Sequence, residues 1–211
     1  MSSLPIRRLA LPILTAVIAA ASACLQPSLN PLFLPEDSVF EEGLLGTWVC
    51  GDETWTFEKQ TEKDLGPKPF YKVTMSVDQK KYEIMAWLGR IDDHTFVNFR
   101  PETDPDLPTF VKAHFVGTYS FGRAWIDPDR IKFGMLSSGF LQKLEESGQL
   151  TIGVKRWPED VILTATPKEL QRFAGTFAEE SDIFGEPIEL VKPGTKPSGA
   201  DNAVGHCYSE K

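Results

Sequence analysis

The amino-acid sequence predicts a mainly β domain in which about eight or nine antiparallel strands follow one another as a meander. Short segments rich in aromatic and β-branched residues alternate with period two, as in FYKVTMSV at residues 70–77. Turns containing Asp, Gly or Pro separate these segments, and the connections are too short for the crossover helices that parallel strands need. Such a meander closes into a barrel or folds as a two-layer sandwich, and periodicity alone does not distinguish the two.

The chain begins with the pattern of an export signal. Arg7 and Arg8 are the only charges before Glu36, and an apolar run over residues 9–23 ends in the small residues of 21–23. A positive start, a short apolar run and a small-residue cleavage site are typical of a secretory signal peptide, here residues 1–23. As a helix this run would be about 22 Å long, shorter than a hydrocarbon core of about 30 Å, so we do not expect a permanent membrane span.

The small residues followed by Cys24 resemble the lipobox of bacterial lipoproteins. The resemblance implies that Cys24 begins the mature chain and carries palmitate-type acyl chains, which hold it at the membrane of the bacterial cell envelope. Ala21 stands where that family usually has Leu, and cleavage after Ala23 without lipidation is the alternative. Leu25, in place of Asp, implies sorting to the outer membrane in a Gram-negative host. Residues 24–42 are then expected to form a tether that prolines keep extended.

Charge and length limit the partners and the number of domains. The full chain has 22 Lys and Arg against 30 Asp and Glu, and loss of residues 1–23 removes two arginines and no acid, leaving 20 against 30, a net charge of −10. An acidic surface disfavours nucleic acid and anionic lipid, so the acyl chains must provide the membrane contact. The length suits a single domain, predicted over residues 43–190, with a flexible tail at residues 191–211.

The three cysteines allow one pair beside the predicted lipidation site. With Cys24 acylated, Cys50 and Cys207 make an even pair in an oxidising compartment, and a disulfide between them would tie the tail to the first strand. A buried Cys50 and a free thiol at Cys207 are the alternative, because sequence spacing cannot show proximity.

Two helices are predicted among the strands. Residues 138–147 carry apolar side chains at helical spacing, and Gly148 provides a stop. The second helix, predicted over residues 167–182, follows Thr166 as N-cap with Glu169 three positions later, which is the pattern of a capping box.

The stretch LLGTWVCGDETWTFEK at residues 44–59 resembles the start of lipocalin-like, or calycin, barrels. In that family a G-x-W motif begins the first strand and its Trp closes one end of the barrel, and Gly46 and Trp48 match those positions. A final helix after the last strand, here residues 167–182, also suits the family. The resemblance covers a short motif and the order of elements, and it implies a barrel that holds a small apolar ligand. The lipobox followed by this pattern also resembles small bacterial lipoproteins.

Aromatic side chains are too numerous to be solvated, so they form a packed core or the wall of a cavity for an apolar ligand. Two arginines lie on otherwise apolar strands, where each would meet a ligand carboxylate or pair with acids at the rim. The candidate ligand-lining residues are Trp55, Phe57, Trp87, Arg100, Phe115, Tyr119, Arg123 and Trp125.

The sequence carries no common catalytic or metal-binding motif. C-x-x-C, H-E-x-x-H, G-x-S-x-G and Gly-rich phosphate loops are all missing, and we interpret His94 as part of a solvated turn. We therefore expect no enzyme activity, no cofactor and no metal site. Three hypotheses from different classes are open: an anchored protein that binds a small apolar molecule, an anchored subunit that recognises an envelope protein, and an enzyme. The enzyme is the least favoured, because no acid–base or nucleophile set is present. A central cavity would favour the first, and a filled core with an exposed apolar patch the second.

Overall fold

A computed structural model describes residues 25–61, 68–102, 116–157, 160–180 and 182–197. The predicted signal peptide, Cys24, Phe115 and Cys207 lie outside these residues. The strands and helices are β1 Gly46–Cys50, β2 Glu53–Gln60, β3 Phe70–Val77, β4 Lys80–Ile91, β5 His94–Pro101, β6 Ser120–Asp127, β7 Arg130–Met135, α1 Ser138–Glu146, β8 Val154–Trp157, β9 Asp160–Leu163, α2 Pro167–Thr176 and β10 Ile188–Val191. No helix in the described ranges is both long and apolar enough to cross a membrane.

Eight strands close into an antiparallel barrel in the order β1-β10-β7-β6-β5-β4-β3-β2. Strands β1 to β7 form the up-and-down meander, and β10 lies between β7 and β1, antiparallel to both. The prediction of a mainly β, antiparallel fold is thus confirmed, and the sheet takes the barrel form rather than the sandwich. Strands β8 and β9 form a separate hairpin. Closure pairs the sheet edges that an open meander would expose.

The end of the chain differs from the prediction in one respect. The helix predicted over residues 167–182 ends at Thr176, and it does not follow the last strand, because β10 comes after it and completes the barrel. Gly175 and Thr176 are weak helix formers, which explains the early end. Strand β10 has only four residues and too little alternation to be identified from the sequence.

Large aromatic side chains fill the interior of the barrel. Phe133 packs against Phe99 with 5.5 Å between ring centroids and against Trp55 with 6.4 Å. Phe57 lies 6.3 Å from the rings of both Phe133 and Tyr71. This interior is a packed core built around six aromatic residues, Trp48, Trp55, Phe57, Tyr71, Phe99 and Phe133, all of which are buried.

Trp48, the Trp of the G-x-W motif, contacts the segment before β1 and the segment after β10. Its indole Nε1 donates to the carbonyl of Leu44 at 2.9 Å. The ammonium of Lys192 lies 3.6 Å from the Trp48 ring centroid and donates to the carbonyl of Leu45 at 3.2 Å. Desolvation in this position lowers the pKa of Lys192. The segments before β1 and after β10 therefore meet over this ring.

A second core covers the outer wall of the barrel. Trp87, Phe96 and Phe121 belong to β4, β5 and β6, and their side chains are directed away from the barrel interior, yet all three are buried. Side chains from α1, α2, the β8–β9 hairpin and, in the N-terminal segment of residues 25–40, Leu32 and Phe33 pack with them. We call these covering elements the outer layer. Strands β4 to β6 thus carry one core on each face.

The segment predicted as a tether is part of the outer layer from Leu25 onward. Ser28 and Tyr119 exchange two backbone hydrogen bonds of 2.8 Å, and the Leu29 amide donates to the Leu163 carbonyl at 2.9 Å. Further along, the Val39 amide donates to Leu88 on β4 at 2.9 Å. The segment pairs in extended conformation around Leu25, Ser28 and Val39, whereas Pro35 begins a short 3-10 helix, Pro35–Asp37, so the prediction that prolines keep it extended holds only in part.

Leu32 and Phe33 hold the middle of this segment against the barrel wall. The ring of Phe33 lies on Gly89 of β4, where a Cβ atom would overlap it. Trp87 donates through its indole to the Phe33 carbonyl at 2.9 Å, and the Leu32 amide donates to Oδ1 of the buried Asn98 at 2.7 Å. Gly89 is therefore needed at this position because the Phe33 ring approaches its backbone directly.

Candidate functional site

An apolar pocket of about 140 Å³ lies between the N-terminal segment and the outer wall of the barrel. A dry apolar cavity of about 150 Å³ in another protein accepts benzene, so this volume suits one ring or a short alkyl chain. We call it the outer pocket. It is lined by Pro31, Leu34, Pro35, Ser38, Lys68, Phe70, Met85, Trp87, Arg100 and Tyr119.

The strand register explains why side chains from three strands meet in the outer pocket. Tyr71 of β3 belongs to the barrel core, so its neighbour Phe70 faces outward. Met85 lies opposite Arg100 where β4 pairs with β5, and Trp87, two residues further along β4, shares the outward face with Met85. The N-terminal segment covers this part of the wall and makes it concave.

Two cations stand at the otherwise apolar pocket. Lys68 donates through Nζ to the carbonyl of Ser38 at 2.9 Å. The guanidinium carbon of half-buried Arg100 lies 5.8 Å from the ring centroid of Tyr119, which in turn meets the ring of Trp87 edge-on at 5.9 Å. Over the described ranges, no carboxylate forms a salt bridge with Arg100 or Lys68. The Arg100 donors can therefore serve an anion.

The structure divides the candidate ligand-lining residues between several places. It brings Trp87, Arg100 and Tyr119 together in the outer pocket. Trp55 and Phe57 lie in the packed interior of the barrel, so they do not line this pocket. Phe115 lies outside the described residues. The aromatic residues predicted to form one wall therefore belong partly to the barrel core and partly to the outer pocket. The reason is that alternate residues of each strand face opposite sides of the sheet.

Arg123 and Trp125 belong to a different cluster, at the end of α2. Arg123 donates from Nη2 to Nδ1 of His94 at 2.9 Å and from Nη1 to the Ala178 carbonyl at 2.6 Å. Nε2 of His94 lies 2.6 Å from a carboxylate oxygen of Glu179, and the Arg123 guanidinium carbon is 4.9 Å from the Trp125 ring centroid. His94 is thus half-buried and bonded rather than part of a freely solvated turn. The cluster fastens the end of α2 to the barrel.

Most of the pocket residues were not identified from the sequence. Phe70 and Met85 lie on correctly predicted strands, and the position of Arg100 on an apolar strand was the signal that pointed to this wall. Leu34 and Ser38 carry no such signal, because the sequence predicts a tether in their segment. The covering half of the pocket depends on contacts between residues far apart in sequence.

Cys50 takes part in a disulfide. The other two cysteines, Cys24 and Cys207, lie outside the described residues, so the pairing of Cys50 with Cys207 stays a prediction. Across the residues that the structure describes, no group of three or more His, Cys, Asp and Glu side chains is placed to hold a metal ion.

Comparisons with protein-family models, with curated proteins and with solved structures gave no match to this chain. The structure itself defines the class: an eight-stranded antiparallel β-barrel with a buried aromatic core, to which an outer layer adds an apolar pocket. The closed antiparallel barrel that the G-x-W resemblance implied is therefore observed, whereas the family itself is not identified.

Proposed function

We propose that this chain is an exported, lipid-anchored protein of the bacterial cell envelope that binds a small, mainly apolar molecule with an anionic group. The outer pocket carries this proposal, since it combines apolar walls with the guanidinium of Arg100, for which the described residues supply no salt-bridge partner. An apolar pocket that contains a small number of precisely placed polar groups is typical of small-molecule sites. The binding place proposed here differs from the one implied by the lipocalin-like resemblance, because aromatic rings occupy the barrel interior.

The size and charge of the outer pocket suggest the chemistry of the ligand. A volume of about 140 Å³ admits one ring or a short chain, so a larger ligand would extend past the mouth. An arginine binds a carboxylate or phosphate through paired donors, whereas the neutral wall offers only apolar contact. We therefore expect small aromatic or aliphatic carboxylates to bind more tightly than neutral analogues of the same shape.

Benzoate and benzyl alcohol test this expectation, because they share a ring and differ in charge. Binding is followed by heteronuclear NMR, with the indole N–H of Trp87 as a signal inside the pocket. Arg100→Gln should weaken benzoate binding about tenfold, since a charge-assisted bond is lost, and leave benzyl alcohol unchanged. Arg156→Gln, at an exposed arginine paired with Glu145 on the surface, is the matched control and should change neither affinity.

Met85→Trp should fill the pocket and abolish binding of both probes, provided that its unfolding curve shows a folded protein. Failure of the wild type to bind either probe at millimolar concentration would remove the ligand hypothesis, as would binding that Met85→Trp leaves intact. Saturable binding of benzoate with equal affinity in wild type and Arg100→Gln would support an apolar site but contradict the anionic part of the proposal.

The anchoring part of the proposal has its own test. The mature N-terminal peptide of the full-length protein, expressed in a bacterial host, should start at Cys24 and carry acyl mass, and Cys24→Ala should lose that mass. An unmodified peptide would mean an exported protein without a lipid anchor.

A second candidate function is recognition of an envelope protein by the anchored domain. The filled barrel interior favours it, because packed aromatic side chains leave no central cavity for a ligand. Loss of the ligand hypothesis in the NMR experiment would leave this candidate as the better one.

A further inference from the structure

Exposed apolar side chains concentrate on and beside the N-terminal segment. Leu25, Leu29 and Leu34 of this segment are 40%, 39% and 38% exposed. Val116, which is 68% exposed, lies three residues before Tyr119, whose backbone pairs with the segment at Ser28. The remaining large apolar side chain of this exposure among the described residues is Tyr82 on β4, at 49%. Single exposed apolar residues are ordinary, but four of the five such side chains among the described residues lie on this segment or beside it.

In the first part of the segment polar side chains are buried and apolar side chains are exposed, the reverse of the usual arrangement. Gln26 and Ser28 are buried, while Leu25 and Leu29 face out. The buried polar groups are satisfied: Gln26 donates to the Val161 carbonyl, and the hydroxyl of Ser28 donates to the Asn30 carbonyl at 2.7 Å. A surface built to face water has the opposite pattern, with apolar side chains inside and polar ones outside. The environment that suits this face is therefore apolar.

The position of the segment next to the lipidation site identifies that environment. Cys24 directly precedes Leu25, and Leu25 already forms a β-bridge with Ser137 beside α1. If Cys24 carries acyl chains, no free tether separates the bilayer from the packed domain. Leu29 lies only four residues from Leu25, about 13 Å along an extended chain, which keeps it near the membrane surface.

We propose that the anchored domain lies flat on the bilayer, with Leu25, Leu29 and Leu34 in the boundary between headgroups and acyl chains. This inference rests on the lipid anchor of the proposed function. Glu36 and Asp37 follow Leu34 and are exposed, so they mark the rim of the face that stays in water. Leu34 also lines the outer pocket, which therefore lies at the edge of the membrane-facing surface.

A diazirine reagent that partitions into the acyl phase tests this orientation. The full-length lipidated protein is placed in phosphatidylcholine vesicles, labelled by light and mapped by residue-level mass spectrometry. Leu29 and Leu34 should be labelled about tenfold more than Tyr82, the exposed apolar residue distant from the anchor in sequence, because acyl-phase positions see far more reagent. Leu29→Asn with Leu34→Asn should lose labelling in the segment, whereas Tyr82→Asn should leave it unchanged.

The same spectra separate the inference from the anchor on which it rests. Acyl mass on Cys24 with labelling of Leu29 and Leu34 at the level of Tyr82 would overturn the flat orientation and leave the anchor intact. A peptide without acyl mass on Cys24 would overturn both. Acylated Cys24 with strong labelling of Leu29 and Leu34 supports both.

Discussion

The interior of the barrel and the outer layer bury similar kinds of side chain but are built differently. In the interior, six aromatic residues interlock inside a closed ladder of backbone hydrogen bonds. In the outer layer, short helices, one hairpin and an extended segment are joined to the barrel by isolated bridges and side-chain bonds. The first arrangement leaves little freedom to move, whereas the second can leave a pocket open between its parts.

Asn98 shows the difference at a single side chain. It is fully buried under the outer layer, and its Oδ1 accepts from Leu32, but its Nδ2 lacks a hydrogen-bond partner in the described structure. An unsatisfied buried donor costs about 1–3 kcal/mol. The contact between the outer layer and β5 therefore leaves one buried donor unsatisfied among the described residues.

The largest effect is expected when an aromatic ring is removed on one side of the barrel wall or on the other, in two separate variants. Phe133→Ala should lower the free energy of unfolding by about 3–5 kcal/mol, because the ring is buried among three others and leaves a cavity. Phe140→Ala, at a half-buried ring of α1 in the outer layer, should cost about 1–2 kcal/mol. Urea unfolding measures both. Equal losses would show that the two cores are equally tight.

A smaller effect is expected where the interior is bonded to Glu41, which lies between the outer layer and β1. Tyr71 of the interior accepts from the Glu41 amide at 2.7 Å and donates to the Glu41 carbonyl at 3.0 Å, and burial raises the pKa of Tyr71 to about 12. In the unfolded chain the phenol ionises near pH 10. The contribution of the protonated Tyr71 phenol to the free energy of unfolding is therefore complete below about pH 10 and is lost as the pH rises to about 12. This loss amounts to about 2–3 kcal/mol.

Unfolding free energies measured across this alkaline range should show that loss in the wild type. Tyr71→Phe has no phenol to ionise, so its curve should be flatter by the same amount. Tyr82→Phe, at an exposed tyrosine, is the matched control and should follow the wild type. Parallel curves for Tyr71→Phe and the wild type would contradict the assigned coupling.

The smallest test concerns the attachment of the N-terminal segment. Gly89→Ala places a methyl group where the Phe33 ring lies, and this overpacking should cost about 1–2 kcal/mol. In a Phe33→Ala background the same change should cost little, since the obstructing ring is gone. A double-mutant cycle measures the coupling, which should be at least about 1 kcal/mol. An additive result would show that Phe33 does not rest on Gly89.

Local signals in the sequence predicted the elements well. Period-two alternation placed β3, β4 and β5 within a residue or two of their observed bounds. The capping box at the start of α2 forms as predicted: Glu169 accepts from the Thr166 amide at 2.7 Å, and the Thr166 hydroxyl accepts from the Glu169 amide at 3.4 Å. These features depend on neighbours in the chain, so sequence spacing was enough to find them.

Only the tertiary structure decided which aromatic residues form the core and which line a site. Alternation shows that Trp87 and Met85 share a face, but a strand does not reveal which face turns inward until the sheet closes. Closure depends on β10 meeting β1, and the pocket depends on Leu34 and Arg100, distant in sequence, meeting across the barrel wall. Long-range pairing carries no local signature, because its free energy comes from contacts that exist only in the folded chain.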